Sequence, residues 1–160
     1  MEIIEEFDYR NAKGILSALH PNIKEEIYTI LSDKNNLLNL KLGENETERQ
    51  LSSPIQAWFK AKGWTIEKPV FTMDDLRYDL EKDTIPIEIE LGHERLVYAD
   101  FFKFMSDYSK DRIPLGIMIV AGTSQLFGHT WHNSVSKTKK KILAIKENFL
   151  VPIWVIGIKP

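Results

Sequence analysis

At 160 residues, with 43% hydrophobic and 28% charged residues, the chain has ordinary globular composition and the size of one domain, which excludes a disordered or low-complexity protein. A net charge of −2 gives no basis for wholesale coating of nucleic acid, although a local basic surface beside grouped acids remains compatible with it. Zero cysteines exclude disulfides and thiolate metal sites, leaving carboxylates and histidines as ligands, a set that suits Mg²⁺ better than zinc.

In chain order, Glu2 to Phe7 mixes apolar and acidic residues and is read as the start of a strand; its acidity is unlike the basic start of a signal peptide. No stretch approaches the roughly 20 apolar residues that span a bilayer, so a cytoplasmic protein with no membrane partner is expected. After His20 and Pro21, Ile23, Ile27, Ile30 and Leu31 recur at helical spacing. Leu37 to Leu42 followed by Gly43, Glu44, Asn45 and Glu46 reads as a connection. A further helix is expected with Ser53 as N-cap, Pro54 at its first position, Gly63 closing it, and Ile55, Trp58 and Phe59 inward. Trp64 to Phe71 reads as a strand in which Pro69 favours a sheet edge.

The chemistry concentrates in Tyr78 to Glu90. Period-two alternation predicts Leu76, Tyr78 and Leu80 on one face and Arg77 and Asp79 on the other, while the isoleucines from Ile85 onward alternate with Glu88 and Glu90. The link Glu81-Lys82-Asp83-Thr84 is short enough to close a hairpin and bring Asp79 beside the two glutamates. Carboxylates about 5 Å apart repel by roughly 3 kcal/mol at an effective dielectric near 20, and a hard cation relieves that cost. Mg²⁺ commonly takes one or two carboxylates and keeps several waters. The plainer alternative is a solvated strand face that happens to carry acids.

Beyond the hairpin, Val97, Phe101, Phe104, Met105 and Tyr108 form a helical stripe that reads as core packing. Leu115 to Ala121 is a continuous apolar run, expected as a central strand. Gly122 to Asn133 is a polar loop, and Ser134 to Asn148 a basic amphipathic helix with Val135, Ile142 and Ile145 inward. Val151 to Ile158 is a last strand. This order predicts an α/β fold with a mixed central sheet flanked by helices. A P-loop and a nucleophile elbow are both absent from the sequence, which disfavours NTP-driven and serine-hydrolase chemistry.

Asp79, eight intervening residues and then Glu88-Ile89-Glu90 resembles the PD-(D/E)xK nuclease motif, with Glu90 in place of its lysine. That substitution, together with Leu91-Gly92-His93-Glu94-Arg95 and Asp100-Phe101-Phe102-Lys103-Phe104, resembles the BglII/BamHI-like branch of type II restriction endonucleases. The resemblance covers Leu51 to Val120, and the remainder more loosely. It implies a restriction-endonuclease-like sheet, one nuclease domain over residues 1–160, and Mg²⁺-dependent, sequence-specific cleavage of double-stranded DNA, with Mn²⁺ able to substitute. Asp79, Glu88 and the main-chain carbonyl of Ile89 would hold the metal. Glu90 would accept the proton of the attacking water, and Glu48 or Gln56 would be a further member of the site.

On the same resemblance, His93, Arg95 and Lys103 are candidate DNA contacts. Ser124, Gln125, His132 and Asn133 carry groups that match base edges, and Lys137 and Lys139 suit phosphates. His129 and His132 lack a third ligand for zinc. The resemblance also implies a homodimer that presents one site to each strand of a palindrome, a prokaryotic cytoplasm, and a cognate DNA methyltransferase in the same system without direct contact. Two alternatives stay open: a repair or structure-specific nuclease on the same fold, and a non-catalytic DNA-binding domain with structural acids.

Overall fold

Six strands form one mixed sheet in this computed structural model, which describes residues 1–38, 48–128 and 130–160, without the side chains of residues 48–50. They are β1 (Glu2–Tyr9), β2 (Thr65–Val70), β3 (Met73–Lys82), β4 (Ile85–Glu90), β5 (Gly116–Ala121) and β6 (Ile153–Lys159), in the order β1-β6-β5-β4-β3-β2. The apolar runs of β4, β5 and β6 pair in parallel at the centre, where both faces are covered. β2, β3 and β4 are antiparallel neighbours, and β1 closes the other edge antiparallel to β6.

Alternation along the central strands divides the core in two. Ile85, Ile87, Ile89, Ile117, Ile119, Trp154 and Ile156 pack under α1 (Ala12–Leu19), α2 (Pro21–Ser32) and α3 (Glu48–Lys60). Met118, Val120, Ile153 and Val155 pack on the opposite face under α4 (Val97–Tyr108) and α5 (Val135–Ala144), the crossover helices of the two parallel connections. Among the described residues no helix is long and apolar enough to cross a membrane.

Several local expectations change. α1 was not anticipated, and the Pro21 helix is its neighbour α2. α3 begins upstream of Ser53 and contains Pro54, because Leu51, Ile55 and Phe59 bury at i, i+4 and i+8, a gain that outweighs the proline's lost hydrogen bond. Gly63 follows α3 with φ +85, as a helix-closing glycine should. Met105 is 36% exposed, away from the core that Phe101 and Phe104 enter. α5 ends at Ala144, and Ser134 caps it by accepting from the Lys137 amide at 3.4 Å. The hairpin turn narrows to Asp83 and Thr84, both left-handed (φ 51 and 66), since Glu81 and Lys82 still pair with Pro86 and Ile85. Part of the Leu37–Glu46 connection lies outside the described residues.

Candidate active site

β3 and β4 pair from Leu80/Ile87 to Lys82/Ile85 and then part. Asp79 stands in the fork. Its Oδ2 accepts from the Ile89 main-chain N–H at 2.7 Å, replacing a ladder bond, and its Oδ1 accepts from Gln56 Nε2 on α3 at 3.0 Å. The fork also breaks the alternation expected of β3: Tyr78 packs on the α4 face and Leu80 on the α3 face. An open cleft of about 610 Å³ lined by Ser52, Ser53, Gln56, Glu67, Asp79 and Ile89 brings solvent to the aspartate.

Glu88 lies on the α4 face and is 3% exposed. Opposite it, Lys103 Nζ on α4 is 2.5 Å from Glu88 Oε1 and 2.9 Å from Asp100 Oδ1, and it donates to the Arg77 carbonyl at 3.1 Å. Burial, then Asp100, then Asp79 push the Glu88 carboxyl well above the usual carboxylate range, and Lys103 opposes them. Burial also raises Asp79, against the Ile89 amide and Lys103. Burial would depress Lys103, but Glu88 and Asp100 together hold it above the ordinary lysine value.

The position of α4 is itself secured by a buried acid. Asp107, 1% exposed, accepts from Phe71 N at 3.0 Å, Thr72 N at 3.1 Å and Thr72 Oγ1 at 2.8 Å, and lies 3.0 Å from the Tyr78 hydroxyl. This ties the last turn of α4 to the β2–β3 turn, one helical turn beyond Lys103.

Glu90 shares the face of Glu88, as alternation requires, but accepts from the Gly92 amide at 3.0 Å through Oε1. Among the described residues, no three carboxylate or imidazole groups converge on one cation position. The expected convergence of three acids is therefore corrected to two neighbouring carboxylates, Asp79 and Glu88, with Glu90 turned toward the strand end. Two neighbouring carboxylates, Asp79 half-buried and Glu88 buried, with the main-chain carbonyl of Ile89 beside them, are a hard oxygen set, which fits Mg²⁺ or Mn²⁺, since such ions need only one or two carboxylates.

Of the expected DNA contacts, Lys103 is relocated: it is 8% exposed and belongs to the acid cluster, not the surface. Ser124, His132 and Asn133 are 7%, 4% and 0% exposed, so the expectation that they read base edges is corrected. They hold the loop together instead: Ser124 Oγ donates to the His132 carbonyl at 2.8 Å, the main-chain N–H of Asn133 donates to the Gly92 carbonyl, and Asn133 Oδ1 accepts from Thr138 Oγ1 at 3.0 Å. Lys137 is drawn to Glu94 at 2.6 Å and to the carbonyls of Thr130 and His132. Arg95, Gln125 and Lys139 are exposed, and half-buried His93 stacks on Trp131 with centroids 5.6 Å apart. His129 and the Glu48 side chain lie outside the described residues. Gln56, the other of the two α3 candidates, donates to Asp79. The part played by Asp100 is visible in the sequence as the i, i+3, i+7 spacing of Asp100, Lys103 and Asp107, charges recurring on the buried face of α4.

The family model described as restriction endonuclease BglII/BglIII matches residues 4–158. Among solved structures, restriction endonuclease BglII complexed with a DNA 16-mer is similar with a TM-score of 0.75 at 16% identity, covering 100% of this chain and 79% of that one. Free BglII is similar with a TM-score of 0.66 at 19% identity, covering 100% and 80%. No curated protein sequence matches the chain.

Proposed function

The chain belongs to the restriction endonuclease BglII/BglIII family, and on that premise we propose that Asp79, Glu88 and the Ile89 carbonyl hold Mg²⁺, with Mn²⁺ able to substitute, for cutting double-stranded DNA. The protein is a DNA endonuclease of restriction type. The observation that supports the metal reading is the fork between β3 and β4, where Asp79 replaces a ladder bond and adjoins a buried glutamate. The ion, when bound, supplies Lewis acidity at the scissile phosphate and lowers the pKa of a bound water.

The chain's own residues do the rest. Gln56 and the Ile89 amide orient Asp79, Lys103 orients Glu88, and Glu90, two residues beyond Glu88 on the same face, is the group that accepts the water's proton. Exposed Arg95, Gln125 and Lys139 are the proposed DNA contacts, with His93 beside them. α4 also exposes Tyr98, Phe102 and Met105 at i, i+4 and i+7, an apolar stripe that supports a homodimer. The chain works as one domain over residues 1–160 in a prokaryotic cytoplasm, beside a cognate methyltransferase that it does not contact.

The test is incubation of the purified protein with unmethylated phage-sized DNA, with Mg²⁺ or with EDTA, followed by gel analysis and end sequencing. Discrete Mg²⁺-dependent fragments sharing one end sequence are expected. A Mg²⁺-dependent smear or nicking would point instead to a structure-specific nuclease, and intact DNA in every lane would point to a binding domain.

A further inference from the structure

Lys103 stands where a cation is already required. Glu88, Asp100 and Lys103 are 3%, 6% and 8% exposed, so the ammonium and the two carboxylates face one another with little water between them. Lys103 reaches Glu88 Oε1 at 2.5 Å from one side and Asp100 Oδ1 at 2.9 Å from its own helix, where the i,i+3 spacing keeps the second partner in reach without any backbone change. With Asp79 alongside, the four ionised groups carry two uncompensated negative charges, the amount that one divalent cation neutralises.

We infer that Lys103 is an exchangeable counter-ion: its ammonium holds Glu88 in place before a divalent cation arrives and withdraws toward Asp100 when one binds, so that the Lys103–Asp100 pair sets the affinity of the site for the cation. This rests on Asp79 and Glu88 being metal ligands. An ammonium beside Glu88 repels an incoming dication, so Lys103 weakens binding. Asp100 strengthens it by its own charge and by drawing the ammonium aside. Lys103 is thus a positioning residue acting through Glu88, and the two members of one ion pair have opposite effects on a single equilibrium. A merely structural pair would move that equilibrium in one direction whichever member was removed.

The test is calorimetric titration of Mn²⁺ into the full chain without DNA at fixed pH, for the wild type and for Lys103→Met, Lys103→Gln and Asp100→Asn, with circular dichroism to establish folding. The Lys103 variants are expected to bind Mn²⁺ more tightly, on the order of tenfold, equivalent to about 1.4 kcal/mol, and Asp100→Asn more weakly. Mn²⁺ is also expected to raise the melting temperature of Lys103→Gln by more than it raises that of the wild type. If Lys103→Met does not fold, Lys103→Gln, which keeps amide donors for both carboxylates, carries the test. Equal or weaker Mn²⁺ binding by folded Lys103→Gln overturns the exchange, as does its failure to fold even with Mn²⁺ present. A wild type that binds no Mn²⁺ overturns the metal reading itself, and the exchange with it.

Discussion

Asp79→Asn separates the hydrogen-bonding role of Asp79 from its charge. Both carboxylate oxygens accept, one from Ile89 N at 2.7 Å and one from Gln56 Nε2 at 3.0 Å. Asparagine keeps the shape, can offer its carbonyl oxygen to Ile89, and turns its amide toward Gln56, whose own amide can rotate to accept. The structural loss is the weakening of charge-assisted bonds to neutral ones, about 1 kcal/mol, or a fall in melting temperature of roughly 2–4 °C for a chain of this length. Loss of the charge weighs more. Unit charges 4 Å apart interact by about 4 kcal/mol at an effective dielectric of 20, so a dication deprived of one carboxylate forfeits up to about 8 kcal/mol before desolvation is counted. If a quarter of that survives, ~2 kcal/mol, affinity for the cation falls roughly thirtyfold. Mn²⁺ calorimetry, DNA cleavage across a Mg²⁺ series and urea unfolding measure the three quantities together. A folded Asp79→Asn protein with wild-type Mn²⁺ affinity and cleavage would refute the reasoning; so would a stability loss above about 4 kcal/mol, which would make Asp79 a structural clamp.

Three further outcomes follow from other parts of the molecule. Asp107→Ala strands the donors of Phe71, Thr72 and Tyr78 in a buried place and is expected to cost on the order of 3 kcal/mol in urea unfolding; less than about 1 kcal/mol would mean that water replaces the carboxylate. Thr84→Gly removes a β-branched residue from φ 66 and keeps the amide that donates to Glu81 Oε1 at 2.9 Å, so it should stabilise by about 1 kcal/mol, visible as a higher urea midpoint; an unchanged or lower midpoint refutes the strain. Glu88 and Asp79, raised mainly by burial, favour the cation-free fold below the ordinary carboxylate pKa of about 4, and that contribution is lost as pH rises through their raised values. The increment in melting temperature from saturating Mg²⁺ should therefore grow with pH above the ordinary carboxylate range, and a pH-independent increment would contradict the assignment.

The parallel centre of the sheet was legible because β5 and β6 are apolar on both faces, and the acids of β4 were legible because period-two alternation survives wherever a strand is fully paired. Alternation failed at Asp79 for a physical reason: β3 parts from β4 there while keeping its pairing with β2, whose Glu67 lies between the paired Ile66 and Lys68 at φ 52, and this local irregularity sends Tyr78 and Leu80 into different cores. Pattern also misjudged Ser124, His132 and Asn133, because a polar loop folded on itself satisfies its groups internally and carries the composition of an exposed one. Lys103 was read as a surface charge since lysine is seldom buried; only the joint spacing with Asp100 and Asp107 on the inward face of α4 marked it otherwise.

The segment that follows β4 is laced to the segment that precedes α5. The main-chain N–H of Asn133 donates to the Gly92 carbonyl at 2.9 Å, His93 and His132 form a bridge, and Glu94 meets Lys137. Gly92 is also the residue whose amide holds Glu90. Drift at exposed Gln125 or Thr130 leaves this main-chain lacing untouched, whereas drift at buried Asn133 removes the side-chain oxygen that accepts from the Thr138 hydroxyl on α5. A lineage could change the exposed positions in small steps, while one that changed buried Asn133 would have to re-pair the Thr138 hydroxyl at the same time.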